Sequence, residues 1–321
     1  MTKATKIWLV TAFLLVVIGC LFFGGAMMAA KWDFSKLSAV KFETNEHEIG
    51  DEFSSISVKT DTSDITFVLS DNEKCKVECY EEEKAKHYVA VEGDTLVIKT
   101  IDEKSWYDYI GFNFTSPKIK VYLPKTEYSG LFIKESTGDV EIPKGLSFEG
   151  IDITLKTGDV SCFASATKLI KIKTSTGSIC VEDTYAPAFE LSASTGRITA
   201  SNLVCNGDLS TAVTTGKTNL TDIKCKNLIS KGSTGDISIN SVIATEKISI
   251  KSSTGDIRFD DSDAAEIAVE TDTGDVTGSL LTDKVFLTHT DTGKCDVPKT
   301  TVGGKCEITT DTGDIRVTVK T

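Results

Sequence analysis

The sequence predicts an all-β protein: a parallel β-helix-like solenoid of ~11 rungs, built on a 19–20-residue repeat, behind one N-terminal transmembrane helix. Three observations carry this. Thr-Gly recurs ten times at steps of 19 or 20 residues, apolar residues alternate on both sides of each glycine, and residues 7–30 contain no charge. Composition agrees: 40% hydrophobic residues can build a core, and five prolines suit strands. The net charge is −12 and arginine occurs only at 197, 258 and 316, so no clustered basic surface exists for nucleic acid.

The first element is the anchor. An uncharged apolar run of 24 residues exceeds the ~20 needed to span a bilayer. Lys3 and Lys6 precede it, so the positive-inside rule keeps residues 1–6 in the cytoplasm. Residues 31–37 then form a linker, and the bulk of the chain is extracytoplasmic, a single-pass protein of the cell membrane. Two rivals remain open at this point. Gly24-Gly25-Ala26 fits a signal-peptide cleavage site, and Val17-Ile18-Gly19-Cys20 resembles a bacterial lipobox.

Residues 38–130 are strand-rich but irregular, and are expected to form the N-terminal part and cap. Thr62-Ser63-Asp64 reads as a degenerate repeat, because Ile56, Val58, Ile65 and Phe67 fall on the same apolar columns as the later copies. Glu92-Gly93-Asp94 is a hairpin turn. Trp106, Tyr107, Tyr109, Phe112 and Phe114 make the most aromatic stretch outside the anchor and a candidate contact surface; packing of the cap is the plainer reading.

Residues 131–321 carry the regular repeats. The glycines are Gly138, Gly158, Gly177, Gly196, Gly216, Gly235, Gly255, Gly274, Gly293 and Gly313. Apolar columns lie seven and five residues before each glycine and two and four after it, so each copy is strand, turn, strand. One copy cannot bury its apolar face alone, so stacking on its neighbours must supply the stability. Asp follows the glycine at 139, 159, 236, 256, 275 and 314, a usual turn residue. Gly278 falls on an apolar column, where added volume is expected to be tolerated. The last copy is expected to end the rod as an open strand edge.

The degenerate first copy, the hairpin, the segment Lys118-Ile119-Lys120-Val121-Tyr122-Leu123-Pro124 and the Ser-Thr-Gly-Asp units together resemble a bacterial family of unknown function. Its members are described as "putative adhesins" with β-strand repeats. The resemblance covers about residues 38–321. It implies a β-solenoid, often membrane-attached, and carries over no catalytic residue.

Other chemistry was weighed on its residues. Asp-Thr-Gly, the aspartic-protease triplet, begins at Asp272, Asp291 and Asp311, but arises there from the repeat itself. The acidic turns and Asp260-Asp261-Ser262-Asp263 lack the convergent oxygens calcium needs. His47, His87 and His289 are far apart and have no His-x-His or Cys-x-x-Cys partner, so no metal or cofactor is assigned. Cys205 and Cys225 each lie nine residues past their glycine and should stack, as a disulfide or as paired thiols. Rungs of nearly constant length leave no loops to wall a polysaccharide groove, which makes a polysaccharide-active enzyme the remote alternative. The expected function is therefore non-catalytic: a membrane-anchored surface binding, adhesin-like or structural protein. Its ligand would be a cell-surface glycan or protein. The alternative is a regulatory partner of a membrane signalling system for cell-envelope stress.

Overall fold

The computed structural model describes residues 2–29, 31–32, 41–106 and 115–320. One helix, α1 (Lys3–Ala29), is long and apolar enough to cross a membrane or to act as a signal sequence, with mean hydropathy 2.6 over its most apolar stretch. Apart from turns, connecting segments and a 3-10 position at Trp106, the remainder of the described chain is β-strand.

The strands form a β-solenoid in which each turn lies in parallel register on the next. Like columns pair directly: Leu131, Ile151, Ile170, Phe189 and Leu209 follow one another across successive coils, as do Val140, Val160, Ile179, Ile198 and Thr218. Inward side chains are buried and their neighbours along the strand are not, the period-2 consequence of a pleated strand with one wet face. Some polar inward positions are hydrogen-bonded along the column, as when Thr211 donates to Ser230 at 2.9 Å, whereas the buried hydroxyls of Thr218, Ser252 and Thr271 have no partner among the described residues.

The five consecutive turns cornered by Gly177, Gly196, Gly216, Gly235 and Gly255 have a third side in addition to the two strands. It starts at a second corner six residues past the glycine, where Asp183, Asn202, Asp222, Ser241 and Asp261 all adopt φ of 50–53°. Short polar residues tolerate this left-handed region. Beyond the corner Leu203 pairs with Ile223 and Ile223 with Val242, adding a third inward column.

At the N-terminal end the strands are β1 (Phe42–Ile49), β2 (Ser55–Thr62), β3 (Asp64–Leu69), β4 (Cys75–Glu82), β5 (Ala85–Glu92), β6 (Thr95–Asp102) and β7 (Lys118–Leu123). β2 and β3 make the coil cornered by Ser63, which stacks on the coil of Gly138. On its other side lie β6 and β7, also parallel. β5 then closes antiparallel on β6, β4 on β7 and β1 on β4. The cap is thus two antiparallel extensions of the solenoid's own sheets.

The C-terminal end overturns the expectation of a last copy with an open edge. The strands Gly304–Thr312 and Ile315–Val319, the coil of Gly313, are paired on both sides. They lie against the coil of Gly274 on one side and the coil of Gly293 on the other. The spatial order is therefore Gly274, Gly313, Gly293. The outermost coil is the penultimate one in sequence, and its edge position leaves Cys295 exposed although its column is buried elsewhere. At the corners Asp275 and Asp314 are neighbours, and Lys294, which lies between them in sequence, stands outside them.

Candidate functional site

The densest chemistry lies in the cap, where hairpin β4–β5 folds against the Ser63 corner. Alternation along β4 points Val77, Cys79 and Glu81 inward, and the hairpin brings His87 back beside Glu81. Cys79 and Ser63 are fully buried, Glu81 is 1% exposed and His87 6%. His87 Nδ1 lies 2.6 Å from Glu81 Oε2, which also accepts from the His87 backbone N–H at 2.5 Å. Asn45 on β1 donates to Glu81 Oε1 at 2.7 Å. His87 Nε2 lies 3.2 Å from Ser63 Oγ, and that hydroxyl donates to the Thr62 carbonyl at 2.6 Å. The Ser63 backbone N–H in turn donates to Glu135 Oε1 at 2.6 Å, which also accepts from Thr60 Oγ1 at 3.0 Å.

Burial governs the electrostatics. It pushes the Glu135 carboxyl up to about 8, against the pull of the Thr60 and Ser63 hydrogen bonds and with help from Asp64 and Asp139. Burial also acts to raise Glu81, but hydrogen bonds from His87 and Asn45 outweigh it and hold that carboxyl below its usual range. Cys79 is pushed up to about 12 by burial and by the Glu81 charge, so it is a thiol in the absence of a cation. Ser63, His87 and Glu81 have the connectivity of a hydrolytic triad. However, Ser63 is fully buried, so its hydroxyl is not presented to solvent as a nucleophile. This cluster is not legible as a linear motif, because His87 has no His-x-His or Cys-x-x-Cys partner in the sequence. The signal was there: a serine in the glycine slot, and Glu135 at a position that holds Leu155 and Thr174 in the next two coils.

The repeat residues lie at the corners. Nine of the ten glycines have φ between 124° and 149°, and Gly293 is the exception. The aspartates that follow them form a ladder. Asp139 accepts from the Asp159 N–H at 2.8 Å, Asp256 from that of Asp275 at 2.9 Å, and Asp275 from that of Asp314 at 2.8 Å. Each carboxylate therefore satisfies the corner N–H of the next coil. Asp272, Asp291 and Asp311 are exposed. In the acidic run near the C-terminal end, Asp260 pairs with Arg258, Asp261 with Lys320 and buried Asp263 with buried Lys284, so these carboxylates are spoken for.

Cys205 and Cys225 are free, buried thiols on adjacent coils; Val204 pairs with Lys224 immediately before them, and the Cys205 N–H donates to the Lys224 carbonyl at 2.8 Å. Of the aromatic stretch, Trp106 is 76% exposed. Tyr107, Tyr109, Phe112 and Phe114 lie outside the described residues.

A parallel solenoid of near-constant turns, capped by antiparallel strands and preceded by one apolar helix, defines a repeat-built β-solenoid protein. The chain belongs to the Toastrack DUF4097 family, whose profile matches residues 53–212 and 203–321. Among solved structures it is similar to a "putative adhesin" from Parabacteroides distasonis ATCC 8503, with TM-score 0.54, 13% identity, and coverage of 85% of this chain and 98% of that one. It also matches a "putative adhesin" from Bacteroides fragilis NCTC 9343, with TM-score 0.42, 17% identity and 87% and 97% coverage. A "putative lipid binding protein" from P. distasonis gives 0.48, 17%, and 75% and 95%. No curated protein gives a significant match.

Proposed function

We propose that this chain is a membrane-anchored extracytoplasmic rod that binds a cell-surface glycan or protein, or serves as a structural element, without catalysis. The observation that carries the reading is the regularity of the coils behind a single apolar helix. Turns of 19 or 20 residues place flat ladders of side chains on the outside and leave no long loops to wall a substrate groove. The triad-like array of Ser63, His87 and Glu81 is buried. The fold shared with an adhesin-like protein of P. distasonis agrees with this reading.

The test has two arms. Protease added to intact cells should remove residues beyond the helix while leaving cytoplasmic controls whole. Mass spectrometry of the N-terminus should show an uncleaved, unacylated helix. Crosslinking before solubilisation then reads the partner. Recovery of glycan or a foreign surface protein supports binding, whereas a stoichiometric membrane protein favours the signalling alternative. Protection from protease would overturn the placement.

A further inference from the structure

In the buried cluster of Cys79, Glu81 and His87 the imidazole sits between two oxygens, with Nδ1 2.6 Å from Glu81 Oε2 and Nε2 3.2 Å from Ser63 Oγ. A proton on Nδ1 closes the first contact as a hydrogen bond to the carboxylate; without that proton Nδ1 presents a lone pair beside it.

Cys79 completes a set of three donors at this point. One donor atom from each of Cys79, Glu81 and His87 lies within 4.8 Å of the other two. We propose that these three side chains are the protein ligands of a zinc ion. Charge favours this: a divalent ion with one thiolate, one carboxylate and one neutral imidazole sums to zero, which suits a buried site. Ligand type favours it too, because thiolate with imidazole selects zinc over the oxygen-seeking calcium and magnesium. The surrounding hydrogen bonds already do what an outer shell must do. With zinc on Nδ1 the N–H would fall on Nε2, 3.2 Å from Ser63 Oγ, which can accept it, and Asn45 steadies the second oxygen of Glu81. Three protein ligands leave one position of a tetrahedral ion for water. The strand carrying His87 is at the edge of the cap, paired on one side with β6 and at its first residue with β4, so local opening gives the ion a route in.

The test uses full-length protein in detergent, reduced and stripped with a chelator, then supplied with zinc chloride. One zinc per chain should survive gel filtration, and the melting temperature should rise by roughly 5 °C at saturation. Cys79→Ser and His87→Gln should each retain less than about a tenth of that zinc. Cobalt in place of zinc should show a thiolate charge-transfer band in the near ultraviolet that Cys79→Ser lacks. Circular dichroism of the metal-free variants separates loss of metal from loss of fold. Should His87→Gln fail to fold, the near-isosteric Cys79→Ser decides alone. A wild-type chain that keeps no more zinc than Cys79→Ser, or a cobalt form without the thiolate band, overturns the assignment.

Discussion

Replacing Gly216 by alanine should be among the most damaging single-methyl changes in this molecule. Gly216 has φ of 140°, a region that L side chains enter at a cost of roughly 1–3 kcal/mol. Sterics add to that. A Cβ at Gly216 would lie 1.6 Å from the carbonyl oxygen of Gly196 in the coil beneath and 2.7 Å from its carbonyl carbon. Real Cβ atoms essentially never come closer than 3.0 Å, so the two corners must part by about 1.4 Å. They cannot part without loosening the parallel ladder in which Gly196 and Gly216 are direct partners. Two weakened ladder bonds cost about 1–3 kcal/mol. The sum, about 2–6 kcal/mol, corresponds to a fall in melting temperature of roughly 5–20 °C. The control is Gly150→Ala, where the nearest atom to a new Cβ is the Leu169 carbonyl oxygen at 3.9 Å and the change should stay within about 1 kcal/mol. Gly278→Ala should side with Gly216, contrary to what its apolar column suggests, because φ is 144° and the Cβ would meet the Phe259 carbonyl oxygen at 1.7 Å. The assay is thermal unfolding of the three variants by circular dichroism. Equal melting of Gly216→Ala and Gly150→Ala would refute the corner argument.

Other predictions follow from the polar groups. Glu135 holds its proton more tightly folded than unfolded, rising from the ordinary 4.5 to about 8. Its contribution to stability is therefore full below pH 4.5 and is lost as pH rises to about 8, up to a few kcal/mol. Glu135→Gln should flatten that part of a denaturation-midpoint profile, and an unchanged slope would count against the burial. Asp256→Ala removes the acceptor of the Asp275 N–H and should cost about 0.5–1.5 kcal/mol in urea unfolding, with Asp256→Asn costing less. Among cysteines beyond the anchor, exposed Cys295 should alkylate about tenfold faster than buried Cys205 and Cys225 in native protein. Equal rates by mass spectrometry would place the edge of the rod elsewhere.

Much of this fold was legible because a solenoid writes its geometry into spacing. The Thr-Gly step and the columns at Ile170, Ile172, Ile179 and Val181 gave the strands, the corner and the inward face. The third side was harder to read, since its column runs Thr184, Leu203, Ile223, Val242, Ser262 and changes character from copy to copy. The exchange of order at the C-terminal end is invisible to periodicity. Equivalent columns say which residues stack in register but not which copy is the neighbour; Phe259 beside Gly278 and then Val317 satisfies the column as well as sequential stacking would. The cap cluster was hidden for another reason. Glu81 and His87 meet across a short hairpin, and Ser63 reaches them only through the sheet order, so the contacts that matter are not written as a motif.

The position of the Gly313 coil bears on how the rod is completed. Ribosomes deliver residues 284–296 before 304–319, yet the later strands occupy the place between the earlier ones and the coil of Gly274. Stacking one turn at a time as the chain emerges would put the wrong copy in that place, and a chain that paused there would have to release one ladder before closing two. A turn added after the Gly313 coil would find no free edge on that coil, whose strands are paired on both sides. New turns can be added only within the run from Gly158 to Gly255, where each coil's neighbours in space are its neighbours in sequence. The length of the rod is set by its middle, and its ends are fixed by the order in which they must be assembled.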